Sequence, residues 1–205
     1  MSYTIPPSST YRFIEYTDFK PFRAFTNTGE IKDSAVLAGL FSDDSLNFSV
    51  SAVMQRRKPA YDSLYFGAND TGIVYDYSIG DWQFITRRSG NNLTLVATYP
   101  QPQDIDTSIV SAIDSAIVLY PYLLSNRHYD SGPFYRYDWT YQGFGTQTAE
   151  NKIVMPVMAV ESDASAGGFI SGVYNNRFNP AFDYRMLPDG YTLVFREFSM
   201  VMQKE

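Results

Sequence analysis

From Tyr11 to Met202 the chain alternates short runs of apolar and aromatic residues with clusters of Gly, Asn, Asp, Ser and Pro. Such runs, bounded by turn residues, read as β-strands. The candidates are Tyr11–Tyr16, Leu46–Met54, Ser63–Phe66, Gly72–Tyr77, Trp82–Arg87, Leu93–Tyr99, Phe134–Tyr141, Lys152–Glu161, Gly168–Tyr174 and Gly190–Met202. Explicit turn chemistry separates several of them, over Asn69–Gly72, Ile79–Asp81, Ser89–Asn92, Asp130–Pro133 and Pro188–Gly190. The last run carries apolar residues on both faces at Leu193, Val194 and Phe195, as a central strand does.

Two stretches depart from this alternation. From Asp104 to Tyr120 the apolar positions Ile105, Ile109, Ala112, Ile113, Ala116 and Ile117 recur at helical spacing. This predicts a helix near residues 105–120, with Asp104 as N-cap and Pro121 as terminator. A second, shorter helix is predicted near residues 34–41, capped by Asp33. The expected fold class is therefore mainly β: an antiparallel β-sandwich of jelly-roll type or a barrel, with one helix and a short second one. Residues 1–10, polar and containing Pro6 and Pro7, read as an extended N-terminal arm, and residues 11–205 as a single β-rich domain.

Composition narrows the chemistry. The 205 residues include no cysteine and one histidine, which excludes thiol nucleophiles, zinc ribbons, iron–sulfur clusters and disulfide scaffolds. Acidic clusters at Asp43–Asp44, Asp104–Asp106 and Glu161–Asp163 lack the loop spacing of a calcium site. His128 has Asp130 nearby, but no Gly-x-Ser-x-Gly turn supplies a nucleophile, and no glycine run carries a phosphate-loop or dinucleotide pattern. No catalytic residue, metal or cofactor is expected, and a hydrolase on a β scaffold ranks behind two binding classes.

The unusual abundance is aromatic: 17 Tyr, 15 Phe and 2 Trp. Tyr135, Tyr137, Trp139 and Tyr141 alternate with Arg136, Asp138 and Thr140, so one strand would carry four aromatics on one face. This ladder, with Trp82, is the candidate binding or interface surface. Arg56, Arg57 and Lys58 form the candidate basic contact patch. With a net charge of −6, bulk nucleic-acid binding is not expected. No apolar run reaches the roughly 20 residues of a membrane span, and the N-terminus lacks a signal-peptide pattern.

Interface-type residues without a catalytic device point to a structural subunit of a larger assembly, such as a virion capsid, collar or tail component. Its partners would be copies of itself or other assembly subunits. It would be soluble, in the virion or in the cytoplasm of the producing cell. The alternative is a β-sandwich carbohydrate- or receptor-binding module using the same ladder with glycan as partner.

Overall fold

Hairpin chemistry sets the first half of the fold. Strands β4 (Ser63–Phe66) and β5 (Thr71–Tyr75) are joined through Asn69 and Asp70, which both take positive φ, at 56° and 59°. Asn and Asp tolerate that conformation better than other side chains, and two such residues in succession suit the right-handed twist of a hairpin. Strands β6 (Trp82–Ser89) and β7 (Asn92–Ala97) turn at Gly90, with φ 59°.

The computed structural model describes residues 3–42, 61–75, 81–98, 101–106, 124–129, 134–140, 142–162, 171–175, 177–178, 182–187, 189–190 and 192–205. For 101–106, 124–129 and 134–140 the description is of backbone and pairing. The candidate strand Leu46–Met54 and the patch Arg56, Arg57 and Lys58 lie outside the described residues.

Four more strands join the hairpins: β1 (Ser9–Thr17), β11 (Gln142–Ala149), β12 (Lys152–Ser162) and β14 (Leu193–Lys204). The antiparallel order is β12-β11-β7-β6-β5-β4-β1-β14, and β14 pairs back onto β12, so eight strands close into a barrel. The closing seam runs from Lys152 opposite Gln203 to Ser162 opposite Leu193. Closure removes the sheet edges that an open sheet would expose.

An eight-stranded barrel is just wide enough for its own side chains to fill. Here Tyr11, Leu64, Val74, Phe84, Leu95, Ile153, Met200 and Met202 are all fully buried and belong to one apolar cluster. One end is covered by residues 3–8, expected as an extended arm. Ile5 is buried in the same cluster, and the Tyr3 N–H donates to Asn91 Oδ1 at 3.1 Å.

Outside the barrel, the start of β14 enters two further clusters, Leu193 and Phe195 in one and Val194 in the other. Phe195 stacks on Phe178 at 4.3 Å, with Phe25, Leu187 and Met158 around them, while Arg23 lies over the rings of Phe25 and Phe178. Val194 packs with Ala24 against Leu37 and Leu40 of the helix α1 (Ser34–Ser42). Asp33 caps that helix, accepting from the N–H of Ala35 at 2.8 Å and of Val36 at 3.2 Å. Strands β2 (Arg23–Thr26) and β3 (Gly29–Glu30) extend the sheet beyond β14, and β13 (Ser171–Tyr174) extends it beyond β12.

Pro156 stands inside β12, where proline is normally excluded because it cannot donate to a ladder. The ladder between β11 and β12 pairs Thr146 with Val154 and Gln147 with Ile153 but does not continue to Phe144. There the carboxamide of Asn175, 6% exposed, takes the place of a strand. Its Oδ1 accepts from the Phe144 N–H at 2.6 Å, and its Nδ2 donates to the carbonyls of Phe144 at 2.9 Å and Pro156 at 2.6 Å. Gly143 makes room, since a Cβ there would stand 2.8 Å from Asn175 Oδ1.

The helix expected near residues 105–120 is corrected at its start. Gln101–Asp106 is a strand, β8, so Asp104 is a strand residue rather than an N-cap. The physical reason is pairing: backbone bonds to a neighbouring strand replace those that the helical spacing would have used. The rest of that stretch lies outside the described residues. Among the described residues α1 is the only α-helix, and none is long and apolar enough to cross a membrane.

Candidate functional site

The aromatic ladder lies on β10 (Phe134–Thr140), the central strand of a separate three-stranded antiparallel sheet. β8 (Gln101–Asp106) flanks it on one side and β9 (Leu124–Tyr129) on the other. Because directly opposed residues share a face, the register assembles the surface from three segments distant in sequence. One row is Tyr129, Tyr135 and Ile105, the next is Arg127, Tyr137 and Gln103, and the third is Ser125, Trp139 and Gln101.

The opposite face carries His128, Arg136 and Asp104 in one row and Asn126, Asp138 and Pro102 in the next. Charge is thus segregated. The aromatic face holds Arg127 as its one charged residue, whereas the other holds Arg136, Asp104, Asp106 and Asp138. Sequence reading found the aromatic row but missed Gln101, Gln103, Arg127 and Tyr129. The alternation of β8 and β9 signals a strand too weakly, and no local pattern reports which strands pair.

The remaining candidates fall elsewhere. Tyr141 lies outside the described residues. Trp82, grouped with the ladder on the sequence alone, belongs to the barrel interior. It alternates with Phe84 and Thr86 on the inward side of β6, is 5% exposed, and meets Tyr61 and Phe84 edge-on at 6.1 and 6.2 Å. It therefore packs the core and does not share the exposed surface expected for it.

At the barrel end covered by residues 3–8 there is a cleft of about 210 Å³ lined by Ile5, Pro7, Phe66, Asn69, Asp70, Thr86 and Arg88 among others. The buried Thr86 hydroxyl has no hydrogen-bond partner among the described residues. Arg88 reaches the Tyr3 carbonyl at 3.4 Å and Gln147 Oε1 at 3.5 Å. Nearby, burial pushes the Tyr11 phenol above its ordinary range, partly offset by the Arg88 charge, while its hydroxyl donates to the Glu150 carbonyl at 3.3 Å. A second groove, of about 230 Å³, lies where β11 and β12 part, with Phe144, Pro156 and Arg177 in its lining. Neither brings together a nucleophile, a base and its orienting partner. Among the described residues no three His, Asp or Glu side chains gather as metal ligands.

No protein-family model, no curated protein and no solved structure matches this chain.

The outer wall of the barrel supplies one more surface. On β5 and β6 the buried positions alternate with outward ones, among which Ile73, Tyr75 and Ile85 are apolar or aromatic and Thr71, Gln83 and Arg87 polar. Tyr65 stands opposite Ile73 and Ile85 opposite Val96, while between β5 and β6 Ile73 faces Gln83 and Ile85 faces Thr71, so the wall carries two apolar cross-strand pairs set diagonally among polar residues. Ile85 is 46% exposed, and Tyr75, two residues beyond Ile73, is 36% exposed.

Proposed function

We propose that the chain is a non-enzymatic structural subunit of a larger assembly, a virion component of the capsid, collar or tail kind, and that it self-associates through apolar and aromatic-rich β faces. The observation that supports this reading is the two apolar cross-strand pairs on the barrel's outer wall, Tyr65 with Ile73 and Ile85 with Val96. Single exposed apolar side chains are ordinary, but apolar pairs on neighbouring strands cost free energy in water and gain it when a partner covers them. A second copy is the occupant proposed, because isologous contact between the same patch on two subunits is the commonest way identical chains associate. The filled interior adds to this reading, because a barrel packed with its own side chains offers its outside for recognition.

The test is sedimentation velocity on wild type and on Ile85→Glu. Ile85 is already 46% exposed, so glutamate is tolerated in the monomer, and in an interface it would bury an unpaired charge. The expected result is oligomer for wild type and monomer for the variant. A wild-type chain that is monomeric throughout, or a variant that associates as wild type does, overturns the proposal.

A further inference from the structure

We infer that the cleft at the barrel end covered by residues 3–8 binds a free amino acid with an apolar side chain. The site goes beyond self-association, and it lies on the inner side of β6 whereas Ile85 lies on the outer. Its floor is apolar: Ile5 and Phe66 are both buried, and Pro7 stands beside them. Thr86, 7% exposed, adds a hydroxyl that has no hydrogen-bond partner among the described residues. A buried hydroxyl left unpaired costs the free protein stability, and a ligand that bonds it removes that cost. Arg88 follows two residues later on the same strand, roughly 6.8 Å further along it. Only Nη1 of its guanidinium is engaged, at 3.4 Å from the Tyr3 carbonyl and 3.5 Å from Gln147 Oε1, both at the long limit of a hydrogen bond. Asp70 is held beside Thr86, because its carbonyl accepts from the Thr86 N–H at 2.7 Å.

Arg88 and Asp70 line one cleft, yet neither enters an ion pair among the described residues. Opposite charges that share a cleft without meeting suit a ligand that carries both charges itself. An α-amino acid does so. Its carboxylate would accept from the free N–H groups of Arg88 and from the Thr86 hydroxyl, its ammonium would donate to the Asp70 carboxylate, and its side chain would rest on Ile5 and Phe66. Size agrees, since about 210 Å³ lies below the roughly 300–1,000 Å³ of pockets for drug-sized ligands. A nucleotide exceeds that space and would bring its phosphates against Asp70. A simple carboxylic acid leaves Asp70 unpaired, and a divalent cation would find one carboxylate and a guanidinium in place of six or more oxygens. Ile5 and Pro7 belong to the segment that covers the barrel end, so a bound amino acid would also tie that segment to β6.

The test is isothermal titration calorimetry on the full-length chain with L-leucine, L-methionine and L-phenylalanine. Three further probes, glycine, isoamylamine and isocaproate, lack in turn the side chain, the carboxylate and the ammonium. The expected result is saturable binding of at least one of the three amino acids at one site per chain, with each truncated probe at least about tenfold weaker. Thr86→Val, Arg88→Gln and Asp70→Asn should each weaken binding about tenfold. Thr86→Val keeps the shape of the side chain and removes the unpaired hydroxyl, so the free variant should unfold at a higher urea concentration than wild type while binding less. That pair of readouts separates a ligand contact from a folding defect. Ile85→Glu, on the outer wall, should bind as wild type does whatever its mass in sedimentation. No saturable binding of any of the three amino acids by folded wild type overturns the proposal. So does equal affinity for the truncated probes, wild-type affinity in both Thr86→Val and Arg88→Gln, or loss of binding in Ile85→Glu.

Discussion

Replacing Gly72 with alanine tests the packing of the barrel at its tightest point. Gly72 stands directly opposite Phe66 on one side and Phe84 on the other. The two rings meet edge-to-face at 5.5 Å, using the space that a side chain would take. A Cβ at this position would lie 2.3 Å from Phe84 Cζ and 2.3 Å from the Tyr65 carbonyl oxygen. Phe84 is fully buried and also packs on Trp82, so the ring has nowhere to retreat, and the carbonyl belongs to the neighbouring strand. Overpacking a core costs about 1–3 kcal/mol, and the backbone clash puts Gly72→Ala near about 3 kcal/mol. For a chain of this size that lowers Tm by roughly 6–12 °C. Phe84→Ala alone should cost about 3–5 kcal/mol through the cavity it leaves. In the double variant the new methyl occupies part of that cavity, so the two losses should fall short of their sum by at least about 0.5 kcal/mol. The assay is urea denaturation followed by circular dichroism, at a concentration that holds the chain monomeric. Gly39→Ala in α1 is the control: its Cβ would meet nothing within 4 Å, and a helix gains up to about 1 kcal/mol from the change. A Gly72→Ala loss below about 0.5 kcal/mol, or strict additivity with Phe84→Ala, refutes the reasoning.

Three further outcomes follow from the structure. Asn175→Ala strands the Phe144 N–H and the carbonyls of Phe144 and Pro156, and should cost about 2–4 kcal/mol by urea denaturation. Asn175→Asp should be worse than alanine, because a carboxylate would face the same two carbonyls, and wild-type stability in that variant would remove Asn175 from its strand-like role. Burial alone would raise the Glu197 carboxyl, but the Lys20 ammonium at 2.9 Å, the Phe178 N–H at 3.0 Å and the Arg23 charge hold it below its ordinary range. Its contribution is therefore present above the unfolded-state value of about 4.3 and is lost as pH falls through the lower folded value. The stability gap between wild type and Glu197→Gln should close over that acid range, and a gap unchanged down to about pH 2 would contradict the assignment. Copies that each carry a charge of −6 repel one another at low ionic strength, so added salt should raise the associated fraction in sedimentation; a fall on adding salt would point to ion pairs rather than an apolar wall.

The barrel was legible where one face is apolar and the turn chemistry is explicit. Ser63–Phe66 was read with its bounds unchanged, and Trp82–Arg87 and Lys152–Glu161 within two residues at either end, because in-out alternation in a closed sheet leaves that imprint. β11 left none. Its inward positions are Gly143, Gly145 and Gln147, because the space that large side chains would fill is taken by Asn175 and Ile153. β2 is short and is held through Phe25 against Phe195 and through Ala24 against α1, contacts that its own sequence does not report. Asp104–Asp106 opens a run, to Tyr120, whose apolar spacing is helical, and only its pairing with β10 makes these first three residues strand. The aromatic row at Tyr135, Tyr137 and Trp139 needed nothing but alternation to be seen. Its amide and guanidinium neighbours come from segments on either side in sequence, and no local periodicity reports a register of that kind.

Self-association through an apolar barrel wall is tested most directly by the absolute mass of the wild-type chain from light scattering on a size-exclusion column over a wide concentration range. The expected mass is a multiple of 23.3 kDa that Ile85→Glu returns to 23.3 kDa. A wild-type mass of 23.3 kDa at every concentration would contradict it.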